Sequence, residues 1–144
     1  MTRLGLLLVA GVLFSSPAFA QTMGSCPGAV GAGPEEKPTW VLFDLGSAVL
    51  KPEFKPAIAQ AAATAKARKA IKVCVLGQTD KLGDKNYNAK LAQARAQAVA
   101  SELIRAGYPA KDVVIAVNPE AFGNLSFGGN DASEKDRRAV IVLR

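Results

Sequence analysis

Four short runs rich in β-branched and aromatic residues, at 39–45, 71–76, 113–117 and 139–143, are kept apart by longer stretches of a different character. Residues 51–69 are Ala-rich, and Pro52 and Glu53 suit the first turn of a helix there. A polar loop, 78–85, leads into a second helical stretch from about residue 86 to 106, which Gly107 stops. The order β-α-β-α-β-β predicts an α+β domain: a mixed four-stranded sheet carrying two helices on one face. The last two strands are expected to pair antiparallel, joined by the Gly- and Asn-rich stretch 118–131, whose length marks it as a functional or mobile loop.

Strand alternation assigns the two faces. Val41, Phe43, Val73, Val75, Ala139 and Ile141 should meet the helices. Trp40, Leu42, Cys74, Leu76, Val140 and Val142 then fall on the opposite face, where an uncovered sheet would alternate to polar residues. A contiguous apolar patch is covered or used. Two occupants are open: the Gly- and Pro-rich arm 21–38, or an envelope protein docking on Trp40, Leu42, Leu76, Val140 and Val142.

The chain opens with Arg3, an apolar run and Pro17-Ala18-Phe19-Ala20, the three parts of an export leader cut after Ala20. The run is too short to span a bilayer, and no later stretch could, so the mature chain is expected to be periplasmic, with association to the outer membrane open. Three segments follow: leader 1–20, irregular arm 21–38 and a single domain 39–144. In an oxidising compartment the two cysteines, Cys26 and Cys74, are expected to bond to each other. Lipidation of Cys26 is the competing use, but Cys26 lies well beyond the apolar run.

The formal net charge is +6, of which Arg3 in the leader accounts for one. In an exported chain this excess points to anionic envelope surfaces, and no motif for reading nucleic acid is present. Histidine is absent, which removes His-based acid–base catalysis, Ser-His and Cys-His nucleophiles, and imidazole metal sites. Asp44, Asp80 and Glu120 supply carboxylates, yet nothing fixes two of them at a glycosidase spacing. No catalytic residue, metal site or cofactor is expected.

Two polar features remain. Gly77-Gln78-Thr79-Asp80 follows the second strand, where ligand-contacting loops of α/β sheets gather. Arg95 lies on the second helix beside a core stripe read as Leu91, Ala98, Val99 and Leu103, so it needs a carboxylate or a way out. An Asp80–Arg95 pair could be a structural salt bridge, or it could take the ammonium and carboxylate of a zwitterionic ligand.

These residues resemble the OmpA-like peptidoglycan-binding domain family (OmpA C-terminal, Pal and MotB type) from Thr39 to the end. The resemblance rests on Phe43, Asp44, Ser47 and Ala48; on Gly77, Thr79 and Asp80; on Asn88, Leu91, Arg95, Ala96, Ala98 and Val99; and on Arg137-Arg138. It implies a non-enzymatic domain that holds the diaminopimelate residue of the peptidoglycan stem through Asp80 and Arg95. Asp44, Thr79, Asn88, Leu91 and Arg138 would line or shape the pocket. Three positions and one stretch depart from the family pattern: Gln78 stands for a histidine, Gly46 for an acid, Asp136 for an asparagine, and Val117-Asn118-Pro119-Glu120 for the usual GYGE. The missing acid at Gly46, the altered loop after the third strand and the expected lack of a membrane anchor favour the alternative, an assembly component of an envelope complex that uses the apolar sheet face and binds peptidoglycan weakly or not at all.

Overall fold

The computed structural model describes residues 22–23, 26, 37–79, 84–117 and 136–144. The expected leader and most of the expected arm lie outside the described residues, as do Asp80 and residues 118–135. The elements are β1 (Thr22–Met23), β2 (Thr39–Leu42), α1 (Lys55–Ala67), β3 (Val73–Gly77), α2 (Lys85–Arg105), β4 (Val113–Val117) and β5 (Arg138–Leu143). The sheet order is β1-β4-β3-β5-β2; β4 is parallel to β3, and β5 runs antiparallel to both β3 and β2.

The four expected strands and two helices are present, with one correction to the pairing. β4 and β5 are not neighbours, because β3 lies between them. The crossover through α2 seats β4 beside β3, and β5 fills the gap between β3 and β2. All five residues of β3 are buried, as its position with paired strands on both sides requires. A further departure comes from the arm, where Thr22 and Met23 pair with Val114 and Ile115 as a fifth, edge strand.

Helix α1 buries Ile58, Ala61, Ala62 and Ala65, the i, i+3, i+4, i+7 pattern of one apolar face. Helix α2 begins after Asp84, whose carboxylate accepts from the Tyr87 amide at 2.8 Å. Its buried stripe is Ala92, Ala96, Val99, Ala100 and Leu103, with Arg95 among them. Leu91 and Ala98, expected in that stripe, are only half-buried. Both helices end in the same hydrogen-bonded motif. Tyr108 N–H donates to Leu103 O and Gly107 N–H to Ile104 O after α2; Ala70 N–H donates to Ala65 O and Lys69 N–H to Lys66 O after α1. The motif needs a left-handed residue, supplied by Gly107 (φ 92°) in one case and by Lys69 (φ 53°) in the other.

The two faces separate as alternation predicts. Val41, Phe43, Val73, Val75, Ala139 and Ile141 join the helices in the main core. Cys74, Leu76, Val140 and Val142 form a second buried cluster with Val114, Ala116 and Cys26. Cys26 is disulfide-bonded to Cys74, with their Cα atoms 6.0 Å apart. A bridge across a sequence separation of 48 residues contributes about 4 kcal/mol in the chain-entropy account. Leu76, Val140 and Val142 are thus already buried within the chain, and only Trp40 of the proposed partner-docking set is exposed. Leu42 is half-buried beside them.

Candidate functional site

The site forms where β2 and β3 run out at the same end of the sheet and α2 passes over them. Arg95 is carried there by α2 and is only 1% exposed. Its Nε–H donates to Ser47 O at 2.9 Å, Nη1 to Gln78 O at 3.0 Å and Nη2 to Asp44 O at 3.0 Å. The Phe43 ring centroid lies 5.5 Å from its Cζ, which adds a cation–π contact. One planar guanidinium therefore ties the loop after β2 to the loop after β3. A buried cation is tolerated because each of its three nitrogens donates to a carbonyl.

Helix α2 can approach that closely because of Gly77. A Cβ there would lie 1.9 Å from the Ala92 carbonyl oxygen. The glycine of the Gly77-Gln78-Thr79-Asp80 stretch is thus a packing requirement of the helix that carries Arg95.

The other predicted residues divide between the two sides of the sheet. Asp80 lies outside the described residues. The Asp44 carboxylate is exposed and pairs with Lys51 Nζ at 2.7 Å, while its carbonyl serves Arg95. Thr79 is buried next in the chain to Gln78, and Asn88 and Leu91 are half-buried on the first turns of α2. Arg138 emerges instead on the outer face with Val140 and Val142, where its Cζ sits 4.1 Å from the Trp40 ring centroid. Its Nε–H donates to Gln78 Oε1 at 3.1 Å. Burial pushes the Arg138 guanidinium below its ordinary pKa, and the charge of Asp136 opposes that shift.

Gln78 joins the two sides: its carbonyl accepts from Arg95, and its side chain accepts from Arg138. The Gln78 side-chain amide also donates to Asp136 Oδ1 at 3.4 Å. Two departures from the family pattern, at 78 and 136, are therefore partners in space. Sequence reading did not find this pairing, nor the role of the Ser47 carbonyl, because a backbone acceptor leaves no trace in residue type. Among the described residues there is no group of His, Cys, Asp and Glu that could hold a metal ion.

A mixed sheet with two helices on one face, and an arginine fixed at the ends of its strands, defines an α+β domain. The OmpA family profile matches residues 42–140, and the chain belongs to the OmpA family. It is 40% identical over 105 residues to outer membrane protein A of Escherichia coli O157:H7, covering 71% of this chain and 29% of that protein. It is 35% identical over 103 residues to outer membrane protein A of Shimwellia blattae, covering 70% of this chain and 42% of the relative. The chain spans well under half the length of these curated relatives. Among solved structures, the peptidoglycan-associated lipoprotein of Burkholderia pseudomallei superposes with a TM-score of 0.63 at 25% identity, covering 73% of this chain and 89% of that one. The OmpA-like domain of FopA1 from Francisella tularensis gives 0.63 at 22% identity, covering 74% and 73%, and supports the fold.

Proposed function

We propose that this domain is a periplasmic, non-enzymatic peptidoglycan-binding module that anchors itself, or a complex it belongs to, to the cell wall. The ligand is the diaminopimelate-type stem peptide: Asp80 takes the ammonium, and the Arg95 guanidinium takes the carboxylate. Thr79, Asn88, Leu91 and Asp44 shape the surroundings, and Arg138 acts on them from the outer face through Gln78. The observation that carries this reading is the locking of Arg95 by three carbonyls in an OmpA-family fold. A guanidinium held in one plane loses little entropy on binding and suits bidentate recognition of a carboxylate.

The test is co-sedimentation of the mature chain with purified sacculi. Asp80→Asn keeps the shape and removes one charge, so retention should fall about tenfold or more, since a charge-assisted hydrogen bond is worth ~1.5–3 kcal/mol. Arg95→Ala is less informative alone, because it also strands three backbone acceptors; it is read beside a circular-dichroism melt. Undiminished retention of folded Asp80→Asn overturns the reading.

A further inference from the structure

The end of the sheet remote from Arg95 has a distinct chemistry. Val73, Val113 and Leu143 lie side by side there, and Thr39 pairs with Ile141. The backbone of Lys72 exchanges two hydrogen bonds with that of Arg144, at 3.0 and 2.9 Å. The turn between α1 and β3 supplies Arg68, Lys69, Ile71 and Lys72, all exposed, and exposed Lys37 flanks it beside β2. A shallow recess of about 280 Å³ is lined by Arg68, Lys69, Ala70, Ile71, Leu143 and Arg144, with no acidic side chain among them. A second, of about 260 Å³, shares Arg68 and Leu143 with it and includes Lys37. The described acids at this end have their own neighbours: Glu102 pairs with Arg105, and Asp112 lies beside Tyr108.

Ile71 decides what kind of surface this is. Its place in a β-branched run marks it for a strand, yet β3 begins only at Val73 and Ile71 is left 78% exposed. A soluble polyanion would use the cations and ignore the isoleucine. A bilayer uses both: basic side chains meet anionic headgroups while an apolar side chain between them enters the acyl boundary. Lys69 and Lys72 bracket Ile71 in this arrangement.

We propose that this end of the domain docks on an anionic lipid surface through Lys37, Lys69, Lys72 and Ile71. The inference does not depend on peptidoglycan binding. It gives the domain a second contact, separated from the Arg95 end by the length of β3, roughly 17 Å at ~3.3 Å per residue.

The experiment is co-sedimentation of the full mature chain with phosphatidylglycerol vesicles and with phosphatidylcholine vesicles, in the absence of sacculi. Retention is expected on the first and not on the second. Lys69→Gly with Lys72→Gln should weaken partition about 30-fold, from the contribution of each basic side chain near such a surface. Glycine suits the left-handed backbone at 69, so the variant keeps the turn. Ile71→Ser should weaken partition as well, while leaving any binding of soluble polyphosphate unchanged. Equal retention on both vesicles, or wild-type partition by the lysine variant, overturns the proposal. Wild-type partition by Ile71→Ser also overturns it, in favour of a simple polyanion site.

Discussion

Arg95 and Gly77 show how two positions of very different size are set by one contact. The arginine reaches the carbonyls of Asp44, Ser47 and Gln78 only because α2 lies close over β3. The glycine permits that approach, since any Cβ would meet the Ala92 carbonyl oxygen and its carbon, at 1.9 and 2.7 Å. These are backbone atoms inside a helix and cannot rotate away. Gly77→Ala is therefore expected to destabilise the domain by about 3 kcal/mol, the upper part of the range for overpacking. Urea denaturation of the two proteins measures it, and a loss under ~0.5 kcal/mol would show that α2 can shift. A larger substitution should abolish folding before it reveals anything about ligand binding. Lys69 illustrates the opposite choice: the turn accepts a lysine in a conformation glycine would adopt freely, and Gly107 fills the equivalent place after α2.

At the level of elements, the sequence was informative wherever burial writes a period into residue type. Strand alternation separated Val73 and Val75 from Cys74 and Leu76 correctly, and the structure divides them into the same two clusters. The pairing of β5 was not legible, because its run of apolar residues states that it is central without naming its neighbours. The two-residue β1 was hidden for a related reason, since so short a strand has no alternation to read. For the site, Arg95 was visible as a cation beside an apolar stripe, but its acceptors among the described residues are backbone atoms. The junction between the α2 exit and the α1–β3 turn offers a pH test. Tyr108 Oη–H donates to Ala70 O at 3.1 Å. Burial first, and the charge of Asp112 second, raise the phenol above its ordinary pKa of 10.0. The neutral phenol is thus favoured in the folded state, so its stabilisation is complete below about pH 10 and is lost as pH climbs through the raised value. Tyr108→Phe should cost about 1 kcal/mol at pH 9 and show a smaller further loss at pH 11 than the native protein. Equal losses for both, read from urea midpoints, would show that Tyr108 does not couple to this transition.

The whole molecule is a short plug with unlike ends. One end carries a guanidinium sealed among carbonyls at the exits of β2 and β3; the other carries exposed lysines around Ile71. Among the described residues no helix is long and apolar enough to cross a membrane. Cys26 is bonded to Cys74 on the outer face and β1 pairs with β4, so these described points of the arm are fastened to the domain they precede. The burial of Arg95 has an electrostatic consequence. Mobile ions screen exposed charges over about 8 Å at physiological ionic strength, and screen a charge buried as Arg95 is much less. The potential at the Arg95 end should persist in concentrated electrolyte, while that of the lysine end collapses. Raising sodium chloride from 0.05 to about 0.5 M should therefore strip the protein from anionic vesicles and leave most of its retention on sacculi. An equal decline on both supports would mean that the buried cation adds nothing at its end, and a single titration thus tells the two apart.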